Sequence, residues 1–257
     1  MILKEQNSHI RDKNIEFEEK SHTYSINGNS NSVISVTEFI HSFFPKFDAD
    51  LIIAKMMNSR NWPNSKYYGM EAEEIKQGWE DNKNLAANQG TILHQDIEYF
   101  YNEKDVNNNS IEYSFFKNFQ KENNNLKPFR TEWCIYHEEL KLAGTIDMVF
   151  CDDENNFCIY DWKRSKKISE GNMYEEGFYP VSHLPHSNFW HYSLQLNVYK
   201  RILEEKYGIQ IKDLCLVCLH PNQENYLKIE VPNMQEEVDA IFKERERKLK
   251  ENGELKE

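Results

Sequence analysis

Over residues 15 to 36 apolar and polar side chains alternate with the two-residue period of a half-buried strand, and Asn27-Gly28-Asn29 in their midst predicts a hairpin turn. The period then lengthens to that of a helix. Thr37 is placed to cap a short helix running to Phe44 and stopped by Pro45, and Ala49 to Met57 predicts a second. Residues 70 to 102 are helix-rich, with a break predicted at Asn88-Gln89-Gly90 and a new helix from Thr91. Ile111 to Asn123 reads as an amphipathic helix before an Asn-rich turn.

The pattern changes at Pro128, after which Glu132–Tyr136, Leu142–Cys151 and Phe157–Trp162 predict three successive strands, an antiparallel meander. Helical spacing returns from Phe189 to Tyr207, followed by strands at 213–219 and 226–231 and a charged helix from about Met234. This order predicts an α/β fold: a central mixed β-sheet flanked by helices, with an N-terminal hairpin and helical elaboration. Residues 1–84 are expected as the elaboration, packed on a core of residues 85–257 in a single compact domain. Fold class alone assigns no activity.

Composition narrows the functions. A hydrophobic content of 39% in 257 residues is enough for a real core. The 15 Phe, 14 Tyr and 5 Trp are mostly core and rim packing, and some offer faces for base stacking. The formal charge of −12 argues against a basic surface that wraps duplex DNA, so any nucleic-acid contact must be local. The N-terminus has no apolar signal core, and Glu5, Asp12 and Glu16 argue against a transit peptide. No run approaches the roughly 18 apolar residues of a membrane span. The expectation is an intracellular soluble protein with no membrane partner, in the cytoplasm or in a nuclear or viral replication compartment. Five cysteines, Cys134, Cys151, Cys158, Cys215 and Cys218, read as reduced thiols. Cys215 and Cys218 have the spacing of half a metal knuckle, but strand residues three apart point to opposite faces.

Three elements carry candidate chemistry. Asp147, in Gly144-Thr145-Ile146-Asp147, and Asp161, in Asp161-Trp162-Lys163, fall on neighbouring predicted strands. Lys163 shares a face with Asp161 because it lies two residues on. Two carboxylates and a backbone carbonyl make a hard oxygen site suited to Mg²⁺ or Mn²⁺, and a lysine beside it can orient an attacking water and stabilise phosphoryl charge. Other acid-x-Lys triplets occur, among them those at Glu18, Glu74, Asp81, Glu139 and Glu204, but only Asp161-Trp-Lys163 closes an apolar strand whose predecessor carries another acid. Taken alone the triplet is an ordinary strand-end ion pair. The second element is His94 in Gly90-Thr91-Ile92-Leu93-His94, with Glu98 one turn on. The third is the stripe His191, Gln195, Tyr199, polar where a helix packed on a sheet should be apolar.

In this order, Gly-Thr-x-x-His, Gly-x-x-Asp, Asp-x-Lys and Gln-x-x-x-Tyr resemble the RecB-type branch of the PD-(D/E)XK nucleases. That branch includes bacterial recombination nucleases, CRISPR-associated exonucleases and the mitochondrial genome maintenance exonuclease. The resemblance spans about residues 85 to 220 and implies a restriction-endonuclease-like core. It also implies that His94, Asp147, Asp161 and the backbone carbonyl of Trp162 hold Mg²⁺ or Mn²⁺, with Lys163 as the catalytic lysine. Gln195 would orient catalytic groups, and Tyr199 would touch the substrate. Arg164, Lys166 and Lys167 would form a local positive mouth for nucleic acid.

The resemblance has limits. Relatives that carry a four-cysteine iron–sulfur cluster place one ligand before the catalytic core, whereas here no cysteine precedes Cys134, so no cluster is expected. No Gly-x-x-x-x-Gly-Lys-Ser/Thr loop is present, so any helicase or replication or repair motor would be a separate partner. The aromatic loop 173–190 and the helices of 37–84 are expected to wall a single-strand channel, with Tyr179, Phe189 and Trp190 as stacking surfaces. The expected activity is a metal-dependent DNase, an exonuclease on single-stranded or end-bearing DNA. A structure-selective endonuclease, an RNA-directed nuclease and a non-catalytic nucleic-acid-binding module remain open alternatives.

Overall fold

A computed structural model describes residues 1–172 and 174–255. The chain is an α/β protein with two compact units, one of residues 46–93 and one of residues 1–45 with 94–257.

In the larger unit, β1 (Ile15–Glu18) and β2 (Thr23–Ile26) form an antiparallel hairpin in the register Ile15↔Ile26 and Glu18↔Thr23. Its turn is therefore residues 19–22, not the expected Asn27-Gly28-Asn29. The Asn-Gly pair does make a tight turn. Asn27 and Gly28 have φ of 52° and 74°, and Ile26 and Asn29 exchange hydrogen bonds of 3.0 and 2.9 Å, but the pairing goes no further. After the N-terminal helix α1 (Ile2–Gln6) and the hairpin, β3 (Ile34–Ser35) leads into α2 (Val36–His41), whose cap is the Ser35 hydroxyl, accepting from the Glu38 N–H at 3.0 Å. The expectation had placed this cap at Thr37 and the helix end at Phe44.

Among the described residues six strands form the main sheet. β4 (Lys127–His137), β5 (Leu142–Cys151) and β6 (Phe157–Lys163) are the expected antiparallel meander. β7 (Ile211–Cys218) runs parallel to β6, and β8 (Leu227–Glu230) antiparallel to β7, so the sheet is mixed. One edge of β5 is covered by β4. The other edge is shared: β3 pairs in parallel with Leu142 and Ala143, and β6 pairs with Met148 to Cys151. Between the two partners the edge of β5 forks over residues 144–147, where a residue at the centre of the sheet can meet something other than a ladder.

Helices cover the sheet. α5 (Ile111–Glu122) buries Tyr113, Phe115, Phe116 and Phe119, and the Phe116 and Phe119 rings meet Trp162 edge-on. α6 (Asn188–Ile202) continues through a π-helical turn to Tyr207 and buries Leu194, Leu196 and Val198, and α7 (Gln235–Glu251) packs beside it. The core of this unit includes Trp133, Ile135, Leu142, Ile146 and Leu216.

In the smaller unit, α3 (Ala49–Met57) is capped by Asp48, and Tyr67 accepts a 2.7 Å hydrogen bond from Trp79. α4 (Ala72–Tyr101), whose residues from His94 onward belong to the larger unit, runs without the break expected at residues 88–90. Gly90 lowers helix propensity by only about 1 kcal/mol relative to Ala, which the neighbouring good helix formers Leu85, Ala86, Ala87 and Gln89 offset. None of the described helices is long and apolar enough to cross a membrane.

Candidate active site

Three carboxylates come from three adjacent strands: Asp147 lies one residue beyond the last β5–β6 pair, Met148↔Tyr160, Asp161 follows Tyr160, and Glu132 falls between the pairs Thr131↔Met148 and Trp133↔Ile146. Directly opposed residues project from the same face. His94, on α4 beside this face, brings Nδ1 to 3.5 Å from Asp147 Oδ2. One donor atom each from His94, Glu132 and Asp147 lies within 4.8 Å of the others, an arrangement that could hold a metal ion; Asp161, the other carboxylate expected as a ligand, falls outside this group and sits against Lys163 instead.

Glu132 is the site residue that sequence reasoning missed. Reading the strand as starting at 132 made this Glu a polar terminus. β4 in fact starts at Lys127, so a carboxylate stands in mid-strand between the buried Thr131 and Trp133. Its backbone has φ of 42°, a conformation strained for a residue with a side chain. The neighbours hold it there. Asp12 accepts from Arg130 Nη1 at 2.8 Å and Trp133 Nε1 at 2.9 Å, and Asn102 donates to Thr131 Oγ1 at 2.9 Å. An acid flanked by strand residues of this kind was the signal available.

The electrostatics are those of a site with too much negative charge. Burial, with the charges of Asp147, Glu98 and Asp161, pushes the Glu132 carboxyl well above the usual carboxylate range. Burial also raises Glu98. Asp161 is pushed up to about 6 by burial, against the pull of Lys163 and with the help of Asp147. Lys163 Nζ sits 2.6 Å from Asp161 Oδ2, off the hydrogen-bonding direction, so charge rather than a directed bond holds this oxygen. Burial opposes the lysine's charge, but Asp161 and Asp147 outweigh it and raise its pKa. Three carboxylates therefore face one ammonium.

The backbone of β6 completes the fork. Trp162 N–H donates to Asp147 Oδ2 at 2.9 Å. N–H and C=O of one strand residue point the same way, so the Trp162 carbonyl is turned toward the same side. From α6, the Gln195 amide donates to Tyr199 Oη at 3.0 Å and to Thr37 Oγ1 at 3.1 Å. Tyr199 is buried, its ring lies on Gly144, and burial raises its pKa well above the usual tyrosine value.

Other expected residues lie elsewhere. His191 shares a helix with Gln195, but its ring packs on Phe44, His41 and His186, and burial lowers its pKa to about 4. Arg164 is engaged by Glu112 at 2.7 Å in a largely buried pair, whereas Lys166 and Lys167 are exposed. Of the aromatic loop, which begins at a residue outside those described, Phe189 is core. Trp190 donates to the Glu170 carbonyl at 2.9 Å, and Tyr179 is 80% exposed. Stacking on Phe189 is thus precluded by burial.

No protein-family model matches the chain, and no curated protein matches its sequence. Among solved structures, the protein SSO0001 is similar over 86% of this chain and 78% of its own at 15% identity, with a TM-score of 0.36. A candidate exonuclease from Eubacterium rectale is similar over 86% of this chain and 82% of its own at 12% identity, with a TM-score of 0.38. Likeness at this level assigns neither family nor activity.

Proposed function

We propose that this chain is a metal-dependent nuclease of the PD-(D/E)XK type that hydrolyses phosphodiester bonds in DNA, acting as an exonuclease on single-stranded or end-bearing substrate. The observation that carries this reading is the excess of three carboxylates over one lysine at the fork of the sheet, with an imidazole beside them. Buried acids of this kind are stable together only with a cation among them or with protons bound. The carboxylates suit Mg²⁺ or Mn²⁺, for which His94, Glu132 and Asp147 already stand grouped; the reading adds Asp161, outside that group beside Lys163, and the Trp162 carbonyl as the remaining donors.

When bound, such an ion supplies Lewis acidity toward the phosphoryl group and its attacking water. The residues do the rest. Asp161 holds the Lys163 ammonium, which supports the attacking oxygen and the charge that builds on the phosphoryl oxygens. Trp162 N–H fixes the rotamer of Asp147. Gln195 and Tyr199 form a hydrogen-bonded unit braced on Thr37, in which Tyr199 is buried on Gly144 and so supports the sheet fork rather than touching substrate as expected. Lys166 and Lys167 supply local positive charge for the phosphate backbone despite the overall charge of −12.

Linear single-stranded DNA set against covalently closed circles tests the exonuclease part. Degradation of the linear form alone, requiring Mg²⁺ or Mn²⁺, is the expected result; nicking of closed circles would replace it with an endonuclease.

A further inference from the structure

Lys163 has a second neighbour. Its Nζ lies 4.4 Å from the centroid of the Tyr192 ring, on α6, so the ammonium is held between the Asp161 carboxylate at 2.6 Å and an aromatic face. Tyr192 is three residues before Gln195 and so falls on the same side of that helix. The Lys163 side chain is 18% exposed and Tyr192 is half-buried, a setting in which water screens the attraction little. The Tyr192 hydroxyl makes no hydrogen bond among the described residues, which leaves the ring as the part that acts. A lysine with four rotatable bonds and one carboxylate partner would otherwise swing about that partner.

We infer that Tyr192 is a positioning residue for the reaction: through a cation–π contact its ring fixes the direction in which Lys163 presents its remaining N–H groups. This rests on the nuclease reading. The ring attracts the cation with its negative face, so the effect must scale with the electron density of that face and not with shape alone.

The test compares Tyr192→Leu, Tyr192→Phe and a series of progressively fluorinated phenylalanines at position 192 in the full chain. Turnover and KM are measured on an end-labelled oligonucleotide with Mn²⁺, and Mn²⁺ affinity is followed by paramagnetic resonance. In parallel, the ε-methylene protons of Lys163, assigned by their loss in Lys163→Ala, report the ring directly by an upfield ring-current shift. The expected result is a kcat loss of roughly 3- to 30-fold in Tyr192→Leu with KM and Mn²⁺ affinity little changed. Tyr192→Phe should rescue turnover, and each added fluorine should lower it by a similar factor. A flat fluorine series, or a Phe variant as slow as the Leu variant, overturns the inference while leaving the nuclease reading intact. An upfield shift with no change in kcat likewise removes the positioning role alone. Absence of metal-dependent cleavage by the wild type overturns both.

Discussion

A Cβ on residue 144 would lie 2.6 Å from Cε1 of Tyr199 and 3.0 Å from its hydroxyl, so Gly144 is the floor on which that ring rests. Two motifs more than fifty residues apart in sequence are thus one packing unit: the glycine three residues before Asp147 exists to admit the tyrosine four residues after Gln195. Gly144→Ala should destabilise the fold by roughly 1–3 kcal/mol, as overpacking does. Combining it with Tyr199→Leu should recover at least about 0.5 kcal/mol, the coupling expected of residues in contact. Urea unfolding of the two single variants and the double variant measures this, and strict additivity would refute the packing account.

Glu132 illustrates a conflict between stability and function. Its carboxyl is buried with like charges around it, so Glu132→Gln should make the metal-free protein more stable at neutral pH. The same change should remove most of the thermal stabilisation that Mn²⁺ gives the wild type. Melting curves in EDTA and in Mn²⁺ decide it. A variant that is less stable without metal, or that responds to Mn²⁺ like the wild type, would exclude Glu132 from the site.

The site also fixes the sign of a pH effect. The folded-state pKa values of Asp161, pushed up to about 6, and of Glu132 and Glu98 are raised above their ordinary carboxylate values. Such groups weaken the metal-free fold above the folded pKa, and protonation lifts that penalty as pH falls through about 6 toward 4. Protons and metal compete for these oxygens, so the Mn²⁺-induced rise in Tm should be large at pH 7.5 and shrink by pH 5. Residues such as His191, lowered to about 4, shift stability in the opposite direction, but they cancel in the comparison with and without metal. An increment that does not vary with pH would contradict the carboxylate site.

Neighbouring cations should behave differently. Arg164 is paired with Glu112, and both side chains are about nine-tenths buried, so Arg164→Ala leaves a buried carboxylate alone and should cost roughly 3–5 kcal/mol of stability. Lys166→Ala with Lys167→Ala should leave stability nearly unchanged. The pair should lower the dependence of single-strand affinity on salt by a log–log slope of about 1.4, at 0.7 per phosphate contact. Binding titrations at several salt concentrations check this, and an unaltered slope would place the nucleic acid elsewhere.

The order and type of the sheet elements were legible because the meander strands are long, apolar and separated by polar turns, and the proximity of Asp161 and Lys163 was legible because strand periodicity fixes which side chains share a face. Less visible were features that depend on pairing. The short β3, two residues long, has no periodicity to read, yet it creates the fork in β5 at which the site sits. Glu132 was hidden by a strand start placed five residues late. Gly90 and the Asn-Gly pair at 27–28 are strong local signals that lost to their surroundings, the first to a long helix and the second to a hairpin already closed at residues 19–22. His191 kept helical spacing with Gln195 but turned to an aromatic cluster, because a drift of 40° over four residues suffices to change its neighbours.

The central claim is that Glu132, Asp147, Asp161 and His94 hold a divalent metal beside a catalytic Lys163. Its most direct test is cleavage of end-labelled linear single-stranded DNA by the wild type and by Lys163→Ala, each with Mg²⁺, with Mn²⁺ and with EDTA. The account predicts cleavage by the wild type with either metal, none in EDTA, and a loss of at least about 100-fold in Lys163→Ala, the scale seen when a group stabilising transition-state charge is removed. Cleavage that survives EDTA, equal rates for the two proteins, or no cleavage by well-folded wild type would contradict it.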